Sequence, residues 1–448
     1  MFAKRPKFII KTMFARLNGS RLASKMASGV FWLSVGSVPS RIAMLITTCM
    51  VVRILGQYTY GEFTLVRSTV NAFITVASFG MGRTSTKYVS ELLVTDRDRV
   101  GRIIALNYVF TIFSSVAVAI VFCIAAPWMC DTLIEAPHLV LQTRLSSLLL
   151  ILTALVGAQT GVLTGFQSYK EIAYSLSISG FASIPFFWLG ARFGGLTGAI
   201  LGASAAPLFN CLCNSFYIHR RLRRGRITCR YRECWREIGV LWNFCLPATL
   251  VSMLMSFVTW GASVMLARQP NGTSELGVFD VARQVQTAVL YFPVLAANVV
   301  VPSLSELNAL KDADRYEKTV RCNVILNAIF TLTLALFLIP FSKMIMRTFG
   351  DDFVSGAGTL VILLILSVVM SVSNVYTSAL TSLGELWTKF WLTVVWSVIV
   401  LGPLLLNGYW LPGAIGLAVA MLCAYLVQTL GMKICIMLHM KRTDLSKV

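Results

Sequence analysis

Charged side chains are scarce in this sequence: Asp, Glu, Lys and Arg make up 13% of its 448 residues, whereas hydrophobic residues make up 56%. An ordinary soluble domain has about 25% charged and about 45–50% apolar residues. This shortage of charge excludes a soluble enzyme. The apolar content suffices for about twelve transmembrane helices of about 20 residues each, so most of the chain is predicted to lie in a lipid bilayer.

Motifs for covalent chemistry are also missing. The sequence contains no G-x-x-x-x-G-K-[ST] motif, which argues against ATP hydrolysis by a P-loop. The three histidines, His138, His219 and His439, are scattered, and Cys211 and Cys213 have the wrong spacing for a zinc site. No pair of catalytic carboxylates and no nucleophile motif stands out. We therefore expect neither a metal nor a cofactor, and a protein that is not an enzyme.

Negative charge is scarcer than positive charge. The sequence has 19 Asp and Glu residues and 39 Lys and Arg residues, for a net charge of +20. In a soluble protein this excess suggests binding to nucleic acid. Here the basic residues collect in short segments between apolar runs, and 30 of the 39 fall on the same side as the two termini. By the positive-inside rule both termini are cytoplasmic, and nucleic acid is not an expected partner.

The apolar runs divide the chain into a regular series. A basic amphipathic segment, 1–25, precedes the series, and an Arg-rich stretch, 219–237, interrupts it at its midpoint. Both are expected to lie on the cytoplasmic surface against anionic lipid. We predict a first lobe over 26–218, a second lobe over 238–436 and a cytoplasmic tail over 437–448. The predicted spans lie near residues 27–54, 60–82, 102–127, 143–164, 171–190, 196–218, 238–266, 276–301, 322–345, 355–380, 386–407 and 411–436.

The two halves of the chain resemble each other at an offset of 216 residues. Between residues 61 and 107 the offset gives eight identities in 47 positions, including Gly61 with Gly277 and Arg67 with Arg283. Average composition gives about three by chance. Six spans per half is an even number, so both halves have the same orientation in the membrane. The expected fold is an all-α integral membrane protein with about twelve transmembrane helices in two parallel six-helix lobes around a central cavity.

Charges inside the apolar runs are the candidates for function, because each costs about 2.5–3.5 kcal/mol to place at the centre of a span. Arg41 lies in the middle of the first span, and Arg67 and Arg283 lie about two turns into the second and eighth. Arginine forks onto phosphate oxygens and keeps its charge, so these three residues are candidates for binding a phosphorylated or otherwise anionic substrate. Glu62 and Asp280 are candidates for coupling transport to H⁺ or Na⁺.

Each of these assignments has a structural alternative. Arg67 and Arg283 lie close enough to the outer interface to snorkel towards it, and Glu62 and Asp280 lie near the outer ends of their spans. Acidic residues in such positions often cap helix N-termini without any role in transport.

Two groups of residues resemble bacterial polysaccharide flippases of the Wzx type: RILGQYTYGEF at 53–63 with 79–91, and LGVF at 276–279 with 301–307. The resemblance implies the multidrug/oligosaccharidyl-lipid/polysaccharide transporter fold in a bacterial inner membrane, with two six-helix lobes around a cationic cavity. It implies transport of undecaprenyl-diphosphate-linked oligosaccharide, such as O-antigen, to the outer leaflet by alternating access. It also implies cavity arginines at Arg41 and Arg283. Partners in polysaccharide assembly are not identified.

Two other functions stay open at this point. A drug or cation exporter of the same fold would need acids in its cavity, whereas the embedded charges here are mostly arginine. A membrane-embedded glycosyltransferase or polymerase normally has a large extracytoplasmic loop with catalytic residues. The longest such loop here, near 128–142, offers only Asp131 and Glu135 as acids. The flippase is therefore favoured.

The charge distribution predicts the sidedness of single positions. In a variant without native cysteines, a cysteine at Gln269 or Asn407 should react with a membrane-impermeant thiol reagent added to spheroplasts. A cysteine at Arg224 should react only after permeabilisation, because basic loops stay in the cytoplasm. Labelling of position 224 from outside would reverse the predicted orientation.

Overall fold

The computed structural model is built from helices. It describes residues 21–229, 231–238, 246–294, 312–405 and 413–445, together with 296, 300, 304, 307 and 308. Every regular element within these ranges is a helix. Most of the basic segment 1–25 and most of the family-like stretch 301–307 lie outside the described residues.

The helices of the first half follow the predicted spans. Two of them are long and kinked: Arg21–Ser78 kinks at Gly56 and Tyr169–Ala203 kinks at Gly195. Each kinked helix is divided at its glycine into two numbered helices. The series is α1 (21–55), α2 (57–78), α3 (Met81–Thr95), α4 (Arg97–Trp128), α5 (Val140–Leu145), α6 (Ser147–Gly165), α7 (169–194), α8 (196–203) and α9 (Ala205–Gly225).

The second half continues in the same way after a short 3₁₀ helix at Tyr231–Glu237. Its helices are α10 (Leu246–Ala267), α11 (Gly272–Val289), α12 (Ala313–Leu338), α13 (Ser342–Phe349), α14 (Ala357–Leu383), α15 (Leu386–Leu405) and α16 (Gly413–Leu445).

Several of these helices are long and apolar enough to cross a membrane. Within the described residues there are seven such stretches and two shorter apolar helices. Two of the seven, Val38–Leu93 and Tyr169–Gly225, contain 56 and 57 residues. A helix of that size is about 85 Å long at 1.5 Å per residue, far more than the ~30 Å hydrocarbon core, so each stretch crosses twice. With α11, these helices account for the twelve predicted spans.

Glycine allows the chain to reverse inside the two long stretches. Gly56 has φ 73° and ψ 174°, and Gly195 has φ 53° and ψ −134°. Side chains other than hydrogen rarely tolerate this part of backbone space. Gly56 and Gly195 lie at one end of the bundle, here named the Gly56 end, together with the turns at Glu135 and Asn271. The opposite end carries the basic segments and is named the basic end.

The two halves share a core only towards the Gly56 end. The largest buried apolar cluster draws on both halves and includes Tyr60, Phe63, Val278 and Phe279. Towards the basic end, the described residues form separate clusters, one around Ile103 in the first half and another in the second half. The halves are therefore packed together at the Gly56 end, while each has its own core at the basic end.

Equivalent positions of the two halves make the same local contacts. The Asp96 carboxylate accepts a hydrogen bond from the backbone N–H of Arg99 at the start of α4, at 2.9 Å. The Asp312 carboxylate accepts one from the backbone N–H of Arg315 at the start of α12, at 3.1 Å. Both acids are N-caps that satisfy a free N–H of the first helical turn. The internal repeat therefore includes the helix starts, while the limits of the two lobes stay a prediction.

The equivalent glycines Gly61 and Gly277 meet where α2 crosses α11. A Cβ atom on Gly61 would lie 1.8 Å from the Thr273 carbonyl oxygen, and one on Gly277 would lie 2.8 Å from the Gln57 carbonyl oxygen. The missing side chains thus let two helices approach backbone to backbone. Mutual contact of repeat-related residues is the arrangement expected next to a two-fold axis.

The Arg-rich stretch between the halves differs from the predicted linker, because α9 continues to Gly225. After it, the chain is fastened to α4 by Glu237, whose side chain is buried. Arg99 Nε lies 3.0 Å from Glu237 Oε2, and Arg102 Nε lies 3.4 Å from Oε1. Part of the linker is therefore held by the protein itself, and its contact with anionic lipid stays a prediction.

The glycine crossing predicts a position-specific effect on stability. Gly61→Ala should destabilise the purified protein by about 1–3 kcal/mol, because the methyl group forces α2 and α11 apart. The matched control is Gly157→Ala, where an added Cβ would have no atom within 4 Å. Thermal unfolding in detergent measures both variants. Equal midpoints would show that the crossing does not limit stability.

Candidate functional site

The candidate site centres on a buried carboxylate between the two halves. Asp280 of α11 has 1% side-chain exposure, and its Oδ2 lies 2.6 Å from Arg67 Nη2 of α2. The Tyr60 hydroxyl and the Gln284 amide also donate to Oδ2, each at 2.9 Å. Arg283 Nη2 lies 3.3 Å from the other oxygen, Oδ1. Four donors therefore surround one carboxylate, and two of them come from the opposite half.

Helical spacing explains why these residues share one location. Asp280, Arg283 and Gln284 are three and four residues apart on α11, which places them on one face. Tyr60 and Arg67 are seven residues apart on α2, about two turns, and therefore also share a face. The glycine crossing brings these two faces together.

The first helix also joins this group. The Thr48 hydroxyl of α1 donates to Gln284 Oε1 at 2.8 Å. The amide nitrogen of the same glutamine donates to the Tyr60 hydroxyl oxygen at 2.8 Å. The polar network, defined here as Thr48, Tyr60, Arg67, Asp280, Arg283 and Gln284, thus links α1 and α2 of the first half to α11 of the second.

Arg41 of α1 contacts the segment that follows α11, further towards the basic end than Asp280. Its guanidinium carbon is 4.6 Å from the centre of the Tyr291 ring. Tyr291 follows Arg283 by eight residues and lies just beyond the end of α11 at Val289. No carboxylate within the described residues pairs with Arg41. Stacking on an aromatic ring holds the guanidinium without neutralising it, so Arg41 adds an uncompensated positive charge between the halves.

Glu62 lies apart from the polar network, at the Gly56 end. Its Oε1 is 2.5 Å from Nε2 of His138. Arg268 of the second half lies 3.0 Å from the Glu135 carboxylate of the first half. These four residues line a cavity of about 210 Å³ between the halves. The acidic candidates therefore have different surroundings, and only Asp280 contacts the candidate arginines.

The structural alternatives are wrong for two candidates. Asp280 lies eight residues beyond the start of α11 at Gly272, past the first turn, so it does not cap the helix. Arg67 has 21% side-chain exposure and pairs inward with Asp280 rather than snorkelling. The roles of the candidate residues in binding and coupling stay predictions.

Three residues that make these contacts were not predicted from the sequence: Thr48, Tyr60 and His138. For Tyr60 a signal was present, because it precedes Arg67 by seven residues and faces the same way. Thr48 gave no comparable signal, since neutral polar residues inside spans are cheap to insert compared with charges. His138 lies in a short 3₁₀ helix between spans, so its contact with Glu62 depends on tertiary folding.

The ion pair predicts a specific pattern of destabilisation. Arg67→Leu should lower the level of folded protein more than Arg283→Leu, because Arg67 makes the shorter and less exposed contact with Asp280. Removing one partner of a buried pair costs about 3–5 kcal/mol, whereas an apolar replacement of both is often neutral. The double variant Arg67→Leu/Asp280→Leu should therefore recover much of the loss. Thermal unfolding and membrane abundance are the measurements, and additive losses would contradict the pairing.

The curated relatives of this chain include a polysaccharide export protein and a lipid flippase. The chain is 26% identical over 219 residues to the EPS I polysaccharide export inner membrane protein EpsE of Ralstonia nicotianae, covering 47% of this chain and 50% of that protein. It is 22% identical over 294 residues to the lipid III flippase of Escherichia coli, covering 65% of this chain and 70% of that protein. The chain thus spans about half the length of EpsE.

Solved structures share the fold at low sequence identity. A multidrug resistance MATE family transporter of the MOP superfamily, in an inward-facing conformation, superposes with a TM-score of 0.75 and 13% identity, covering 93% of this chain and 100% of that one. The lipid II flippase MurJ, in an inward closed conformation, superposes with a TM-score of 0.71 and 14% identity, covering 90% and 87%. These likenesses confirm the predicted all-α membrane transporter fold.

The sequence profile described as "Polysaccharide biosynthesis protein" matches residues 26–308. This match covers more than half of the chain and includes both groups of residues on which the family resemblance rested. The chain therefore belongs to the polysaccharide biosynthesis protein family, as a multi-pass membrane protein of the transporter fold described above.

Proposed function

We propose that this protein is a flippase for a lipid-linked saccharide in a bacterial inner membrane, and that its substrate is an undecaprenyl-diphosphate-linked oligosaccharide. Transport by rocking of the two halves needs no bond to form or break, so the protein is proposed to act as a transporter and not as an enzyme.

The charge balance between the halves is the observation that carries the proposal. Arg41, Arg67 and Arg283 each bring a positive charge. Within the described residues, Asp280 is the one carboxylate that pairs with Arg67 and Arg283, and no carboxylate pairs with Arg41. The remaining excess of two positive charges is expensive inside a membrane. A diphosphate diester carries about two negative charges and offers several oxygens to the arginine forks. A bound diphosphate would therefore neutralise the excess positive charge of the three arginines.

The exposure of the arginines also supports a ligand between the halves. The side chain of Arg283 is 36% exposed and contacts only one oxygen of Asp280. Arg41 is half-buried and lies on an aromatic ring. Both guanidinium groups therefore keep donors free for phosphate oxygens, whereas Arg67 is engaged more fully.

The two curated relatives are named for polysaccharide export and for lipid III flipping, which supports a lipid-linked saccharide as cargo. The fold alone does not choose a substrate, because a drug transporter and a lipid flippase share it. A cationic drug would be repelled by the positive excess around Arg41 and Arg283, so an exporter of cations is the weaker candidate.

Coupling to H⁺ or Na⁺ through Glu62 or Asp280 stays a prediction. Of the two, Glu62 is easier to reach, because it lines the cavity at the Gly56 end. Asp280 is surrounded by four donors and stays within the polar network.

The proposed binding role predicts the behaviour of two arginines. Arg41→Ala and Arg283→Ala should each reduce glycan export at least about tenfold per molecule of membrane protein, since each removes a charged contact worth about 1.5–3 kcal/mol. Lys at either position should rescue only in part, because it keeps the charge but loses the two-point fork. Arg192→Ala is the control, since this exposed arginine lies outside the polar network.

The measurement is export of surface glycan normalised to membrane abundance. Full normalised export in both alanine variants would remove the phosphate-binding role. Loss of abundance without loss of normalised export would assign the arginines to folding.

A further inference from the structure

We infer that Asp280 locks the two halves together at the Gly56 end of the empty protein, and that the diphosphate of the substrate opens this lock by replacing Asp280 as the partner of Arg67. The inference rests on the proposed function for the identity of the releasing anion. The lock itself rests on contacts between the two halves.

Opening at the Gly56 end must break the polar network. Arg67 and Tyr60 reach Asp280 from the opposite half, at 2.6 and 2.9 Å. Thr48 reaches Gln284 from the opposite half at 2.8 Å. Separating the halves removes all of these bonds together, inside a membrane that offers little water to replace them. The empty protein therefore resists opening at this end.

When the halves separate, Asp280 keeps partners for its charge and Arg67 does not. Asp280 keeps Arg283 and Gln284, because both lie on its own helix. Arg67 has no other carboxylate among the described residues. It would be left as an unpaired charge, beside the Phe63 ring and the Tyr60 hydroxyl of its own helix. An unpaired charge of this kind strongly disfavours the open arrangement. Opening therefore requires a second anion for Arg67.

The carboxylate leaves a route for that anion. Oδ2 of Asp280 accepts from three donors, whereas Oδ1 contacts only Arg283 within the described residues, at 3.3 Å. The side chain of Arg283 is 36% exposed and that of Arg67 is 21% exposed. A phosphate approaching between the halves meets Arg283 first and Arg67 second. Once the phosphate has bound Arg67, the halves can separate without leaving Arg67 as an unpaired charge.

This arrangement would make movement conditional on cargo. An empty transporter that opened freely would cycle without moving substrate. Asp280 occupies the place of the phosphate at Arg67 and so keeps the protein closed at the Gly56 end. Only an anion that binds Arg67 more tightly than Asp280 does would release it. In this role Asp280 positions the arginines and does not itself bind the saccharide.

A cysteine pair can report closure. Cys49 of α1 and Thr348 of α13 belong to opposite halves at the Gly56 end, and Cys49 Sγ lies 2.9 Å from the Thr348 carbonyl oxygen. In a variant that keeps Cys49 as its one native cysteine, Thr348→Cys would therefore form a disulfide with Cys49 while the halves are closed. The rate of disulfide formation is measured in lipid nanodiscs without ligand, with undecaprenyl diphosphate and with uncharged undecaprenol.

In the parent, undecaprenyl diphosphate should slow disulfide formation at least about fivefold, within the usual range of coupling between sites, and undecaprenol should not. Asp280→Asn should slow it at least about fivefold without any ligand, and the diphosphate should have no further effect. Glu275→Gln is the matched control. It neutralises another carboxylate of α11, which accepts from the backbone N–H of Ala414 within the same half, so it should behave like the parent.

The exchanged pair Arg67→Asp/Asp280→Arg separates a lost lock from a damaged fold. It restores the ion pair between the halves and should regain most of the ligand-free rate lost in Asp280→Asn. Parent-like rates in Asp280→Asn would overturn the lock, and so would an exchanged pair that is no faster than Asp280→Asn.

The ligand experiments separate this inference from the proposed function. If the parent binds undecaprenyl diphosphate but its disulfide forms no more slowly, the proposed function stands and release by the diphosphate is overturned. If the parent fails to bind this lipid, the proposed function falls and release by a diphosphate falls with it. The ligand-free comparison of Asp280→Asn with the exchanged pair then still decides whether Asp280 holds the halves.

Discussion

The backbone contact between α2 and α11 is the constraint on which the rest of the site depends. A Cβ atom on Gly61 would lie 1.8 Å from the Thr273 carbonyl oxygen, so no side chain fits between the helices there. Only this close approach lets Arg67 reach Asp280 from the opposite half. The ion pair in turn is satisfied only while the crossing is closed. Packing between the halves and compensation of charge inside the membrane are therefore two aspects of one contact.

Much of the fold follows from the sequence, because a bilayer imposes long apolar runs and basic loops on one side. The helix ends were harder to predict. The break at Phe79 and Gly80 lies inside an apolar run, where hydropathy gives no signal. The Arg-rich stretch was assigned to a linker, yet α9 continues to Gly225, because arginine is a good helix former and charge alone does not end a helix.

The charged part of the site was predictable and the neutral part was not. Arg41, Arg67, Arg283 and Asp280 stand out because a charge in an apolar run needs a reason, and all four lie between the halves. Their uncharged neighbours depend on how α1, α2 and α11 meet, which one sequence does not reveal. The separation of Glu62 from the other charges was not predictable for the same reason. Its partner His138 lies on a segment that only tertiary folding brings close.

The attachment of Glu237 to α4 sets a mechanical limit on the protein. From this point the chain belongs to the first half, and at Leu246 it enters α10 of the second half. Only nine peptide steps join these two points, and a fully extended chain spans at most about 3.3–3.6 Å per step. The two attachment points are therefore tethered within about 30 Å of each other. In the proposed rocking of the halves, this tether bounds the opening at the basic end, and with it the width of any cargo that enters there.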